Sequence, residues 1–248
     1  MPFIHPLAEY AVWIWRFARS PIVRRRTASA LRRIEEASSP VFFFPLQLAT
    51  DYQLRHHSPF PNQTSAIRFV IASLAQHAER KALLVIKCHP LDNGLVNWRR
   101  IVERQAQIFG VDDRVLYLDG GGVAPLIKRS AGILTINSTV GTTTLLHGRP
   151  LMVLGAAIYD MPGLSFQGPL DRFWREAQPP DAQLRDSFVR AIAATIQIKG
   201  GFYSEPALRA AAATAAERLE ERQLNEPDAY VDPPPRLIPA DGGPIARL

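Results

Sequence analysis

The chain has 248 residues, 47% of them hydrophobic, and a single cysteine, which suits one sizeable domain with appendages and excludes an internal disulfide. Its net charge is +6, but seven arginines lie between Arg16 and Arg33 with no acid among them, and the other 22 of the 29 basic residues face 23 acids. A nucleic-acid groove would spread its positive excess over the folded domain, so this distribution argues against nucleic acid as a partner.

The segment from Leu7 to Ala37 reads as helical, with a break expected near Ser20-Pro21 because proline disfavours helix in the residue before it. Its arginines stand beside Trp13, Trp15 and Phe17. That pairing fits a helix lying on an anionic membrane surface over residues 7–33, or a solvated helix that packs its aromatics on the domain. No apolar run nears the roughly 20 residues that span a bilayer. The N-terminus lacks the apolar core and cleavage site of a secretion signal, so a cytoplasmic protein is expected, peripheral at a membrane if the first alternative holds. In that setting "NQT" at Asn62 and "NST" at Asn137 carry no glycosylation meaning.

Strands and helices then alternate. "VFFF" (41–44) is a short apolar strand, and 65–79 has helical periodicity with Ile67, Val70, Ile71 and Leu74 on one side. "ALLVIKC" (82–88) is the clearest buried strand, followed by a helix over 98–109. "RVLYL" ends a strand at Asp119, 123–129 is a short helix, "GILTIN" a strand, 139–147 a helix and "LMVLG" a fifth strand. The strands are continuous apolar runs rather than in-out alternations, which predicts an α/β fold: a Rossmann-like parallel sheet with helices on both faces. Helices are expected over 170–175, 182–198 and 206–222, and a proline-rich disordered tail from Asn225. The expected organisation is a basic, aromatic helical segment (1–38), a Rossmann-like domain with C-terminal helices (39–224) and the tail (225–248).

Ligands of such sheets bind at the carboxyl ends of the strands. The polar residues found there are Gln47 and Asp51, then His89, then Asp119 and Gly120, then Ser138 and Thr139, then Tyr159 and Asp160. Asp51 reads as a nucleophile, a base or a turn former. Ser138 and Thr139 open a helix, where two hydroxyls suit a phosphate or serve as ordinary caps. Gly120 to Gly122 lack the following Lys-Ser/Thr of a P-loop, and no G-x-G-x-x-G follows a strand, so these glycines either admit a nucleotide or make a turn. Cys88 and His89 are successive strand residues that point apart, which assigns Cys88 to the core. His56 and His57 read as exposed or capping, and no histidine spacing suggests zinc.

The blocks "PLQLATD", "KCHP" and "NSTVGTTTLLHGRPLMVLGAAIYDMPGLSFQGPLDRFW" together resemble the bacterial capsule polysaccharide biosynthesis/export proteins that are β-Kdo transferases, in order and spacing from about Val41 to Tyr203. The resemblance implies one half of a GT-B glycosyltransferase, the C-terminal donor-binding half, since only about 40 residues precede the first block. It implies a retaining, metal-independent enzyme with no cofactor, using CMP-β-Kdo as nucleotide-sugar donor and a lipid-linked saccharide as acceptor. Carried onto this chain, Asp51 is the nucleophile and Gln47 positions it. His89 with Pro90 contacts the CMP phosphate, Ser138 and Thr139 hold that phosphate, and Gly120 and Tyr159 belong to the nucleotide site. The alternatives are a nucleotide-sugar-binding module working with partner capsule-assembly proteins, and a different nucleotide-sugar enzyme such as an epimerase.

Overall fold

The structure is a computed structural model that describes residues 6–221, with side chains described from Ser20 onward. Five parallel strands form one sheet: β1 (Val41–Pro45), β2 (Leu83–Lys87), β3 (Val115–Leu118), β4 (Gly132–Thr135) and β5 (Leu151–Val153), in the order β3-β2-β1-β4-β5. Every residue of the five strands is buried. This is why the strands read as unbroken apolar runs: a parallel sheet covered on both faces has no solvated side.

The two-residue period of a strand divides these side chains between two cores. Phe42 and Phe44 join Leu84, Ile86, Val115, Tyr117, Leu134 and Met152 on one face. There they meet α3 (Gln63–His77), α4 (Trp98–Ile108) and α7 (Leu170–Glu176). Phe42 packs edge-on to Trp174, 4.9 Å between ring centroids, and Phe173 sits fully buried beside both. On the other face α1 (Pro6–Glu36) packs on β3, α5 (Val123–Arg129) on β1, and α6 (Val140–Leu146) on β4 and β5. α3 buries Ile67, Val70, Ile71 and Leu74, the expected stripe, and starts where the Asn62 side chain accepts the Ser65 N–H at 2.9 Å.

The expected break in the first helix does not occur. α1 runs through Pro21 as one helix. Proline removes one backbone donor and crowds the preceding turn, but a long helix absorbs this locally when its flanking turns stay bonded. Beyond Pro21, α1 buries Thr27 and Ile34 one heptad apart while Arg24, Arg25 and Arg26 stay exposed. The aromatic residues Trp13, Trp15 and Phe17 lie outside the described side chains, as does the tail from Asn225.

The described residues fall into two compact units, one ending at Pro180 and one beginning at Asp181. The first carries the sheet. The second holds α8 (Ala182–Thr195) and α9 (Glu205–Glu220), joined where Arg218 donates to the carbonyls of Ala194 and Thr195 at 2.7 and 2.9 Å.

What matters most for the site is where the strand order reverses. β1 is flanked by β2 and β4, so the connections leaving β1 and β4 run to opposite faces and open a crevice between their carboxyl ends. That switch point is where sheets of this kind take ligands.

Candidate functional site

Beyond β1 the chain continues through buried Leu46 and Gln47, then turns at Asp51 into α2 (Tyr52–His56), a single helical turn that is not among the expected helices. Five residues are too few to show a helical period, and the turn forms because Asp51 caps it. One Asp51 oxygen accepts the Gln53 N–H at 2.9 Å. The other accepts a longer bond, 3.4 Å, from the Gln47 amide. The Gln47 backbone is itself fixed, donating its N–H to the Gln63 side chain at 2.9 Å. Tyr52 and His56 stack on each other at 4.1 Å on the exposed surface of the turn, and His57 caps its end.

The loop after β4 approaches from the other side of the switch point. Asn137, the first polar residue past that strand, accepts the Gln47 amide at 2.9 Å and donates to the carbonyls of Gln53 and His57 at 2.8 and 3.0 Å. The β1 and β4 loops are therefore tied to each other by side chains. Asn137 was missed in the sequence because its "NST" invited only a glycosylation reading; its place directly after a buried strand was the usable signal.

Ser138 and Thr139 stand at the start of α6, as expected. The Ser138 hydroxyl accepts the Val140 N–H at 3.2 Å, and the Ser138 N–H donates to Thr135 at 3.1 Å. Thr139 is the capping residue, with no hydrogen bond from its side chain to the helix. Tyr159 is buried beneath this turn and donates its hydroxyl proton to the Ser138 carbonyl. Its ring fills the space where a side chain at Gly141 would stand. Burial raises the Tyr159 hydroxyl well above the ordinary tyrosine range, so it stays a donor.

After β2, His89 is half-buried, and its Nδ1 accepts the Leu91 N–H at 3.1 Å. In the neutral ring the proton then sits on Nε2, leaving that nitrogen as a donor. Burial lowers the His89 pKa, with buried Lys87 adding to the effect, while Asp92 and Asp51 pull it the other way. The loop that follows Pro90 is held by Asp92, a buried carboxylate accepting the Gly94 N–H at 2.8 Å and the Trp98 indole N–H at 3.0 Å. The Lys87 ammonium donates to the Cys88 carbonyl at 3.1 Å, and burial lowers its pKa as well.

Gly120 follows β3, two strands away from β1. A β-carbon there would lie 3.8 Å from Thr27, so α1 stands alongside this glycine loop. Asp119 is paired with Arg99 at 2.8 Å, and that guanidinium also lies over the Tyr117 ring. The structure thus brings Gln47, Asp51 and Asn137 into one hydrogen-bonded set, with Ser138 adjacent and His89 after the neighbouring strand β2. Gly120 takes no part in that set, and Tyr159 supports it from below. Among the described residues no three His, Cys, Asp or Glu side chains are grouped to hold a metal ion, and no helix is long and apolar enough to cross a membrane.

Chemically, the set offers a carboxylate whose two oxygens are both engaged, and the neighbouring strand β2 leads to an imidazole whose Nε2 can donate one hydrogen bond. Such a pair suits nucleophilic attack by the carboxylate while a hydrogen-bond donor stabilises a departing anion.

A family model described as "Capsule polysaccharide biosynthesis protein" matches residues 2–203. The chain is 31% identical over 199 residues to the capsule polysaccharide export protein KpsS of Escherichia coli, covering 80% of this chain and 51% of KpsS. It is 36% identical over 179 residues to the capsule polysaccharide modification protein LipB of Neisseria meningitidis serogroup A, covering 70% of this chain and 42% of LipB. Among solved structures, Thermosulfurimonas dismutans KpsC, a beta Kdo 2,7 transferase, aligns with a TM-score of 0.42 at 15% identity, over 71% of this chain and 56% of that one. The chain spans about half the length of the curated relatives it matches.

Proposed function

The chain belongs to the capsule polysaccharide biosynthesis protein family, and from that premise we propose that it is a retaining glycosyltransferase that moves Kdo from CMP-β-Kdo to a lipid-linked saccharide acceptor, with no metal or cofactor. The observation that carries this reading is the Asp51 carboxylate, held at the switch point by the Gln47 amide and the Gln53 N–H. In the first displacement an Asp51 oxygen bonds to the anomeric carbon as the bond to the CMP phosphate breaks, and the electron pair leaves with the phosphate. In the second the acceptor hydroxyl attacks the same carbon, gives up its proton to solvent water, and Asp51 departs as a carboxylate. Two inversions restore the β configuration. The His89 Nε2 proton bonds to the leaving phosphate, Pro90 restricts the backbone behind it, and the Ser138 and Thr139 hydroxyls take the remaining phosphate oxygens.

The test is calorimetric titration with CMP, paired with a transfer assay from CMP-Kdo to a lipid acceptor. CMP binding and transfer by the chain alone are expected; a chain that neither binds CMP nor transfers Kdo refutes the reading. The half-length match to its relatives favours one second reading, a nucleotide-sugar-binding module that works with partner capsule-assembly proteins, and CMP binding without transfer selects it.

In the same titration His89→Ala weakens CMP affinity about tenfold, the size of one lost hydrogen bond to a charged group; unchanged affinity excludes the phosphate contact. The variant also has a pH signature. The folded pKa of His89 is lowered, so across the window just below its ordinary value near 6.5 the unfolded chain binds the extra proton. The contribution of the neutral ring to stability is complete above that value and is lost as the pH falls through the window. Wild-type unfolding midpoints should therefore fall more steeply there than those of His89→Ala.

We also propose that α1 lies on the cytoplasmic face of the inner membrane through exposed Arg24, Arg25 and Arg26. Replacing all three by glutamate should abolish sedimentation with vesicles containing anionic lipid, since each basic residue contributes about 1 kcal/mol at such a surface. Undiminished sedimentation would remove α1 from the membrane.

A further inference from the structure

The donors and acceptors of the switch-point set are fixed by its backbone carbonyls, and they decide which end of the Gln47 amide meets Asp51. The carbonyls of Gln53 and His57 can only accept, so the Asn137 group facing them at 2.8 and 3.0 Å is its NH2. The Asn137 oxygen is thereby turned toward Gln47 and accepts from its amide nitrogen at 2.9 Å. The Asn137 backbone N–H faces the Gln47 side-chain oxygen at 3.3 Å and holds the other end of the same amide. With both ends held, Gln47 presents N–H, not oxygen, to the Asp51 carboxylate at 3.4 Å. A flipped Gln47 would set an oxygen against that carboxylate. Asp51 alone does not prevent the flip, because a single long bond is a weak selector.

We infer that Asn137 is a positioning residue for the nucleophile, acting through Gln47 and through α2. It reads the two carbonyls of the helical turn that Asp51 caps, and it fixes which face of the Gln47 amide meets the carboxylate. The role of Asp51 rests on the glycosyl-transfer reading above; the orientation of Gln47 does not. Asn137 therefore sets the rate of the step at the anomeric carbon without contributing to nucleotide affinity.

The test uses the full chain with Asn137→Ala, Asn137→Asp, Gln47→Ala and the Gln47→Ala/Asn137→Ala pair. Asn137→Asp keeps the shape but cannot donate to the two carbonyls. Both Asn137 variants should lower kcat about 10- to 100-fold while KM for CMP-Kdo and CMP affinity stay within about twofold. The double variant should be slower than Gln47→Ala by clearly less than the factor Asn137→Ala costs on its own, because the part of the effect that passes through Gln47 is already lost. Multiplied losses in the double variant, or a rise in KM that accounts for the whole effect, overturn the inference. A second arm is independent of transfer. In nitrogen-resolved NMR spectra the Gln47 side-chain amide should be dispersed from those of exposed glutamines in the wild type and collapse onto them in Asn137→Ala. Retained dispersion overturns the inference. A wild-type chain with no transfer refutes the glycosyl-transfer reading, and the amide spectra then decide the positioning role by themselves.

Discussion

Asp51→Asn abolishes Kdo transfer, by about a thousandfold or more, while CMP binds with unchanged affinity and the fold is undisturbed. The expectation follows from the two duties of this side chain. As the cap of α2, Asp51 accepts the Gln53 N–H, and asparagine is an equally good cap. As a nucleophile it must present an anionic oxygen to the anomeric carbon, which an amide cannot do. The isosteric change therefore removes the chemistry and leaves the turn. Asp51→Ala removes both, and should add a stability loss of about 1 kcal/mol for the lost cap, visible as a midpoint lower by roughly 2–4 °C. Comparing the two separates the roles: equal loss of transfer with unequal loss of stability is the expected pattern. If Asp51→Asn kept more than a few per cent of wild-type transfer, the carboxylate would not be the nucleophile.

Much of this arrangement is legible in the sequence. The five strands are read correctly because burial on both faces makes them continuous apolar runs, and the rule that ligands gather at carboxyl ends points to Gln47, Asp51, His89 and Ser138. What sequence cannot supply is the pairing between loops. Nothing local shows that residue 137 bonds to residue 47, since that depends on β4 lying beside β1 rather than beside β3. The α2 turn escapes notice because one turn has no period, and it is stabilised from outside by Asp51 and Asn137. Pro21 misleads in the opposite direction: a local preference against helix is outweighed by the packing of the turns beyond it, where Thr27 and Ile34 face the sheet. Tyr159 shows a third limit. Its position after β5 sets it at the carboxyl edge of the sheet, but only the fold reveals that the ring is buried under the Ser138 turn.

The same inter-loop packing predicts that Gly155→Ala disables the site from a position that bears no chemistry. Gly155 follows β5, and a β-carbon there would lie 2.8 Å from the His57 carbonyl oxygen and 2.9 Å from the buried Ile136 side chain. A flexible side-chain end could swing away from such a contact, but this oxygen cannot. It belongs to the backbone at the end of α2 and is already held by the Asn137 amide at 3.0 Å and by the Ala156 N–H at 2.9 Å. The added methyl must push the α2 turn away from the β4 loop, at a cost of about 1–3 kcal/mol for overpacking, a midpoint lower by roughly 2–12 °C. Asp51 caps the other end of that five-residue turn, so it moves with it. A displacement approaching 1 Å at the reacting atom costs on the order of a hundredfold in rate. Gly110→Ala is the control. Gly110 follows α4 at the opposite end of the sheet, with φ of +65° and nothing within 4 Å of an added β-carbon, so it loses stability through backbone strain alone, about 1–2 kcal/mol. Comparable midpoints with transfer lost only in Gly155→Ala would show that the α2 turn must be held at its observed spacing from β4; equal transfer in the two variants would show that the turn tolerates displacement and that Asp51 is not constrained through its helix.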